Sequence, residues 1–255
     1  MDIEKKIHRN DDIQVICTTT GTRFAELIRL FCIFCNSKYQ HPLHVKDSVI
    51  SQPIGTKEFF GTMHLSSKLL SANDDKNPKS LNLFLDCSQN DLKRLKFNGT
   101  AAVAILLDSK KKRYIFTDGN RMVEVGKSEY GKLPSPPKLI EEKINGNRFE
   151  LDDKMAKSLK SGASKFNCCA LALYGDQLEK VKFNNGDEHC FTPKNAIKHL
   201  GKEPDKILIS YNLMKVVGNK DITLTLKNDD EDNYWLVTES TINLDTKAII
   251  YEQLF

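Results

Sequence analysis

Tyr114-Ile-Phe-Thr-Asp-Gly-Asn-Arg-Met-Val-Glu-Val125 sets two short runs of β-branched and aromatic residues on either side of Asp118-Gly119-Asn120. Such runs favour extended backbone. An Asp-Gly turn accepts the positive φ that a tight hairpin demands. The segment predicts strands at Arg113–Phe116 and Met122–Val125. Moving upstream, Ala101–Leu107 is a further strand, joined to the hairpin by the turn Asp108–Lys112. Before it, Leu81-Asn-Leu-Phe-Leu85 is extended. Ser88 or Asn90 can cap a short helix running to about Phe97, which Asn98-Gly99 stops. One cycle therefore reads strand, short amphipathic helix, several strands.

The same rhythm recurs along the chain. Ile13-Gln-Val-Ile-Cys17 opens the first cycle. Thr20 or Thr22 caps a helix from Arg23 to about Asn36, with Phe24, Leu27, Ile28 and Phe31 at helical spacing. Strands follow near Lys46–Ser51 and Phe59–Leu65, and the polar stretch Ser71–Ser80 is a loop. The third cycle is Arg148–Leu151, a helix from about Asp152 to Ser161, and strands at Cys168–Tyr174 and Leu178–Phe183 around Gly175-Asp176. The fourth is Lys206–Ser210, a helix from Tyr211 to Val217, and strands at Ile222–Leu226, Tyr234–Thr238 and Ala248–Tyr251. Between the second and third cycles lies Gly131-Lys-Leu-Pro-Ser-Pro-Pro137, which can be neither helix nor central strand and favours a stiff connector. The expected organisation is α+β in two domains. Residues 1–130 form the first, with an insertion near 38–80. Residues 131–147 are the connector and 148–255 the second domain.

Composition narrows the function classes. The 255 residues carry a formal net charge of only +4, so any nucleic-acid contact must come from locally concentrated Lys and Arg. No basic head followed by an apolar core opens the sequence, so no export signal is expected. No run reaches the apolar length of a membrane span, so no membrane association is expected. Seven cysteines without an export signal point to reduced thiols in a cytoplasmic or nuclear protein.

Four β-α-β-β cycles with a Pro-rich divider resemble the DNA sliding clamp family, which includes the proliferating cell nuclear antigen, the phage clamps and the bacterial β clamp. Tyr114–Val125 is similar to the Thr-Asp-Gly-His-Arg-Leu segment of bacterial clamps, with Asn120 in place of His. Lys206–Val217 followed by Ile222–Leu226 looks like the last half-domain of a clamp. The resemblance implies two domains, each a pseudo-symmetric pair of β-α-β-β-β units, with helices lining a ring and sheets outside. It also implies a homo-oligomer, a trimer, around double-stranded DNA. A DNA polymerase and a clamp loader are the implied partners, and no cofactor or enzymatic activity is implied. The implied locations are the cytoplasm (at the nucleoid), the nucleus or a viral replication site.

Holding duplex without reading sequence needs cations opposite the apolar stripe of each helix, acting through counterion release. In the third helix Met155, Leu159 and Ala163 form the stripe, and Lys154, Lys157 and Lys160 lie on another face, with Lys165 following. In the second, Leu92 and Leu95 point inward and Lys93, Arg94 and Lys96 outward. Arg23 and Arg29 lie off the stripe of the first, and Lys215 off that of the fourth. Acids concentrate instead in loops, at Asp74-Asp75, Glu141-Glu142 and Asp229–Asp232. The alternative is ordinary solvated lysines. The resemblance also implies a partner-peptide groove bordered by Leu133, Pro136, Leu139, Ile140, Tyr251, Leu254 and Phe255; the alternative is that these residues only pack the connector down. Gln253-Leu-Phe255 is further similar to an element of peptides that bind bacterial clamps.

Cys32, Cys35, His41 and His44 have the ligand types of a zinc site, but the spacing is short and the residues between the thiols read as buried helix, which favours core cysteines. Cys168-Cys169 lie on a strand with side chains on opposite faces. Asp86, Asp118 and Asp176 follow strands, where carboxylates can bind Mg²⁺, yet Asp118 and Asp176 adjoin Gly and suit hairpin turns. No nucleophile elbow, Walker loop or dinucleotide fingerprint occurs. The leading expectation is a ring-forming processivity factor. The second is a monomeric clamp-fold protein gripping DNA by one basic face, and the third an enzyme on another α+β scaffold.

Overall fold

The computed structural model describes residues 12–35, 38–54, 59–71, 80–129, 135–140, 148–151, 168–174, 177–183, 188–190, 198–199, 207–208, 220–231 and 233–253. The chain divides into two compact units. One is made of the residues up to Ser135 apart from the short segment Glu58–Thr62, which groups with Pro136–Phe255 in the other.

In chain order the elements before the divide are β1 (Ile13–Thr20), α1 (Gly21–Phe34), β2 (His41–Lys46), β3 (Val49–Pro53), β4 (Phe59–His64), α2 (Ser67–Leu70), β5 (Leu83–Cys87), α3 (Gln89–Lys93), β6 (Ala102–Asp108), β7 (Arg113–Thr117) and β8 (Met122–Lys127). All the strand pairs of the first unit are antiparallel, in the order β1-β6-β7-β8-β5-β2-β3. The pairing is reciprocal. The opening strand of the first cycle, β1, pairs with β6 of the second, from Ile13↔Asp108 to Thr20↔Ala102. The opening strand of the second, β5, pairs with β2 of the first, from His41↔Cys87 to Val45↔Leu83.

The second unit repeats this rule. Its strands are β9 (Arg148–Leu151), β10 (Cys168–Tyr174), β11 (Gln177–Phe183), β12 (Glu188–Cys190), β13 (Lys198–His199), β14 (Ile207–Leu208), β15 (Lys220–Asn228), β16 (Tyr234–Thr241) and β17 (Lys247–Gln253). The third cycle's opening strand β9 pairs with β15, while the fourth cycle's opening strand β14 pairs with β10. β15, β16 and β17 then form a meander, as β6, β7 and β8 do. The helices expected at 152–161 and 211–217 lie outside the described residues, as does the turn Gly175-Asp176.

α1 starts two residues earlier than its spacing suggests. Thr20, not Thr22, is the cap, its hydroxyl accepting from the Arg23 amide at 3.3 Å. Phe24, Leu27, Ile28, Leu30, Phe31 and Phe34 are all buried. Phe24 meets the ring of Phe97 at 5.4 Å edge-on and that of Phe116 at 5.8 Å. The helix entry is clamped against the loop that follows α3. Gly21 N–H donates to the Ala101 carbonyl at 2.8 Å, and Thr22 N–H to the Gly99 carbonyl at 3.0 Å. A Cβ at Gly21 would stand 1.9 Å from the Asn98 carbonyl oxygen, so no larger residue fits. At the far end the Gln89 side-chain amide donates to the carbonyls of Cys32 (2.7 Å) and Cys35 (2.9 Å), satisfying two orphan acceptors of the last turn.

Between Lys38 and Leu70 the chain forms three strands and a one-turn helix, one strand more than the sequence pattern suggests. The missed strand, β2, contains Pro42. It is tolerated because the β2–β3 ladder covers only Val45 and Lys46, leaving no donor required on that side at Pro42. The β2–β3 turn is Asp47-Ser48, with φ of 51° and 64°. Neither residue is glycine, and the strain is offset by bonds from four directions. Ser48 N–H donates to the Leu81 carbonyl, Ser48 Oγ accepts from Leu81 N, Asp47 N–H donates to Asn82 Oδ1, and Leu65 N–H donates to the Ser48 carbonyl.

Replacing Gly21 with Ala is expected to lower the unfolding free energy by about 1–3 kcal/mol, because the clash is with backbone and not with a movable side chain. Urea denaturation followed by the far-ultraviolet signal measures it. A variant as stable as the parent would show that the α1 entry does not contact the 98–99 loop.

Candidate nucleic-acid interface

α3 is a single reinforced turn. Ser88 Oγ accepts from Asp91 N at 3.2 Å while the Asp91 carboxylate accepts from Ser88 N at 2.9 Å, a reciprocal capping box. The Ser88 hydroxyl also donates to that carboxylate at 2.6 Å, and these bonds hold the Asp91 carboxyl below its ordinary range. The helix ends at Lys93, with Arg94 as its C-cap. This is shorter than the helix to about Phe97 expected from the sequence, so Lys96 sits in the following turn and not on the helix. Leu92 and Leu95 are buried, and Lys93, Arg94 and Lys96 are exposed. The inward-outward division read from the sequence is therefore observed for this element.

What the sequence reading missed is Arg121. Its guanidinium reaches across from the β7–β8 hairpin and donates to the carbonyls of Arg94 (3.1 Å) and Lys96 (3.0 Å). Those carbonyls lie just past the end of α3, and that of Arg94 also accepts from Lys96 N–H at 2.9 Å. Arg121 thus fixes the turn that presents the cations and adds its own charge beside them. The signal was present in the Asp118-Gly-Asn-Arg121 segment, but only as a turn. The hairpin is shaped by Asp118, whose Oδ1 accepts from Arg121 N (2.8 Å) and Asn120 N (3.0 Å), and by Gly119 at φ 89°. The backbone N–H of Arg121, chiefly, holds the Asp118 carboxyl low. Asp118 is accordingly a turn former.

Four cations, Lys93, Arg94, Lys96 and Arg121, thus share one corner of the first unit. The acids beside them, Asp91 and Asp118, are both engaged by backbone N–H groups. Arg94 approaches Asp91 only at 3.9 Å with its side chain 75% exposed, a contact worth little in solvent. With four cations against two ionised acids, the cluster keeps a net positive charge.

The two arginines of α1 are placed differently. Arg29 is exposed but gripped by Glu26, its Nε and Nη2 donating at 2.8 and 2.7 Å. Arg23 is half-buried, and its Nη1 donates to the Ser71 carbonyl. Neither adds charge to the corner as openly as Lys93 and Lys96 do. Lys154, Lys157, Lys160, Lys165 and Lys215 lie outside the described residues.

Of the proposed groove residues, Leu133, Leu254 and Phe255 are likewise outside. Pro136 is exposed, Leu139 half-buried and Ile140 44% exposed. Leu139 bridges Asp229, and Ile140 N–H donates to the Asn228 carbonyl at 2.9 Å. The connector is thereby stitched to the β15–β16 turn. That end of the meander also holds Gln253, paired with Trp235. Tyr251, two pairs further along, is half-buried against Phe60, ring centroids 6.2 Å apart. The turn itself is organised by Asp229, so this acid is structural. Its Oδ2 accepts from Trp235 Nε1 (2.8 Å) and Asn233 Nδ2 (3.1 Å). Its Oδ1 accepts from Asn233 N (2.9 Å) and Glu231 N (3.0 Å). These bonds, that from Trp235 above all, pull the carboxyl down to about 2.

The four zinc-ligand types do not converge. His41 Nε2 bonds the Phe34 carbonyl at 2.7 Å, buried His44 lies 3.5 Å from Ser128 Oγ, and Cys35 faces Cys87. Among the described residues no three His, Cys, Asp or Glu side chains form a metal-binding group. No described helix is long and apolar enough to cross a membrane.

Compared with known proteins, the chain matches no protein-family model and no curated protein sequence. Solved structures do match. One is the proliferating cell nuclear antigen of A. fulgidus bound to the C-terminal region of FEN-1, with a TM-score of 0.60 at 12% identity. The match covers 95% of this chain and 99% of that one. Another is the proliferating cellular nuclear antigen of Entamoeba histolytica, with a TM-score of 0.61 at 10% identity, covering 95% of this chain and 100% of that one. The chain has the sliding-clamp fold, as its rhythm of cycles led us to expect.

The depressed carboxyl of Asp229 makes an acid-stability prediction. Its contribution is complete above the ordinary carboxylate range and is lost as pH falls toward about 2. Asp229→Ala should remove that acid-side contribution and speed hydrogen exchange at the Ile140 amide, read by mass spectrometry across pH. Unchanged exchange would show that Asp229 does not hold the connector.

Proposed function

We propose that this chain is the subunit of a DNA sliding clamp, a homotrimeric ring that encircles duplex DNA, is set there by a clamp loader, and tethers a polymerase. It performs no chemistry of its own and works wherever that DNA is copied, in the cytoplasm, the nucleus or a viral replication site. The supporting observation is the clamp fold, matched over 95% of this chain and nearly the whole of each compared clamp. The cationic corner fits the reading. Lys93, Arg94 and Lys96 are exposed charges without base-reading geometry, suited to phosphates that pass without being held. On this reading Lys154, Lys157, Lys160, Lys165 and Lys215 continue the same lining, with Arg23 and Arg29 as secondary contributors. The connector face of Pro136, Leu139 and Ile140, with Leu133, Tyr251, Leu254 and Phe255, receives partner peptides.

Light scattering should give three times the 29.0 kDa subunit mass. The protein, loaded onto nicked circular duplex, should stay bound and run off once the circle is cut. A monomer that binds linear and circular DNA equally would overturn the ring and favour a one-faced grip.

The cationic corner makes a separate prediction. Lys93→Ala combined with Lys96→Ala should reduce the slope of log affinity against log salt by roughly 1–2, since each neutralised phosphate contributes about 0.9. An unchanged slope would remove α3 from the DNA-facing surface.

A further inference from the structure

Where the end of α1 abuts the start of α3, three thiols gather that the proposed clamp function leaves unused. Cys35 directly follows α1, and Cys87 directly precedes the Ser88 cap of α3. Their sulfurs are 3.9 Å apart although 52 residues separate them in sequence. Both are buried, at 6% and 0% exposure. Cys32, one helical turn before Cys35, is half-buried and lies within electrostatic reach of Cys87 and of the Lys93 ammonium. All three are free thiols. The Gln89 amide, bonded to the carbonyls of both Cys32 and Cys35, holds the helix end in place over Cys87.

A buried pair of cysteines is ordinarily inert core. Two features separate this one. The sulfurs already touch, so a side-chain rotation closing the gap to about 2.0 Å would complete a bond. And a third, more accessible thiol stands beside the pair. We propose that Cys35 and Cys87 are an oxidation site that takes a peroxide as its oxidant and closes to a disulfide, with Cys32 as the entry thiol.

The steps balance. The Cys32 thiolate attacks one peroxide oxygen and becomes a sulfenic acid, releasing hydroxide, which takes up a proton as water. Cys35 attacks the Cys32 sulfur, a second water leaves, and a Cys32–Cys35 disulfide forms. Cys87 then attacks the Cys35 sulfur and Cys32 leaves as thiolate. The sum is two thiols and one peroxide giving one disulfide and two waters. Burial raises the Cys32 thiol, and the Lys93 ammonium offsets only part of that rise. The Cys35 thiol is itself held well above its ordinary range, first by its bond to Cys87 and then by burial, so the exchange steps rest on contact between the sulfurs and not on a lowered pKa. Cys17, also pushed up to about 11 by burial, donates its thiol to the Leu70 carbonyl and is not one of these three. The product would lock the end of α1 to the start of α3, the helix that bears Lys93.

The test uses the full reduced chain, exposed to hydrogen peroxide, quenched with iodoacetamide and mapped by mass spectrometry without reduction. The expected product is a peptide pair linked through Cys35 and Cys87, with Cys32 recovered alkylated. Cys32→Ser should slow its formation by about tenfold or more, because the remaining thiols are screened from solvent. The proposal is overturned if Cys35 and Cys87 are recovered alkylated, or if the stable linkage joins Cys32 to Cys35. Equal rates in Cys32→Ser and the parent chain would also overturn it.

Discussion

Each half of the first unit gives its opening strand to the other. β1 lies against β6, and β5 against β2, so neither half can complete its hydrogen-bond ladder alone. An unpaired ladder edge leaves rows of backbone donors and acceptors open, which a small sheet tolerates poorly. The reciprocal exchange therefore binds residues as distant as Thr20 and Ala102 into one cooperative unit. The second unit obeys the same rule through β9–β15 and β14–β10. That explains how the cycles can keep a common rhythm. The constraint acts on backbone pairing, and side chains need only alternate correctly between the two faces.

The helix layer of the first unit inherits its placement from this exchange. Because β1 ends beside the start of β6, the entry of α1 must pass the loop that enters β6. The two backbones approach so closely there that only glycine fits, at Gly21. Phe24 then reaches both Phe97, just beyond α3, and Phe116 on β7. At the other end Gln89 closes the last turn of α1. A helix fixed at both ends and along its buried stripe has one remaining face, and its length is set by the strands that bracket it. The same bracketing keeps α3 to a single turn, made viable by the Ser88–Asp91 box and by Arg121.

Much of this was legible in the sequence because it depends on local chemistry. The alternating runs of β6, β7 and β8 and the Asp118-Gly119 turn declare a meander. The stripe of Phe24, Leu27, Ile28 and Phe31 declares α1, and Leu92 and Leu95 tell which side of α3 faces inward. What stayed hidden depends on distant partners. β2 was masked by Pro42, harmless only because β3 does not pair there. The Asp47-Ser48 turn carries no glycine signal, since its positive φ angles are held by Leu65, Leu81 and Asn82. The α1 boundary moved because the constraint on Gly21 comes from residue 98. In the candidate site, the outward lysines were readable from helical spacing. Arg121 was not, because its role is to bond two carbonyls from a hairpin about 25 residues away, a relation that no periodicity encodes. Likewise Asp229, one of a run of acids, is a turn-organising acceptor for four donors, unlike its exposed neighbours Asp230 and Glu231.

The electrostatics of the corner follow from how its acids are used. A carboxylate that accepts backbone N–H bonds remains ionised, so Asp91 and Asp118 keep their negative charge. They keep it where geometry needs it, at a helix N-terminus and inside a turn, directed toward amides. Arg121 does the converse, spending its donors on carbonyls while its charge stays at the surface. The result is a patch of exposed positive charge on a rigid backbone, with flexible lysine tips and no preset geometry for a base edge. Such a patch attracts a polyanion from a distance and discriminates little among positions along it. Its attraction weakens as salt rises. A tight, bidentate site would need the opposite design, with buried guanidinium groups and fixed rotamers. Under the proposed function a firm grip would oppose movement along the duplex, and retention would fall to the topology of a closed ring. Rigid backbone under mobile charge is the arrangement that lets those two tasks be separated.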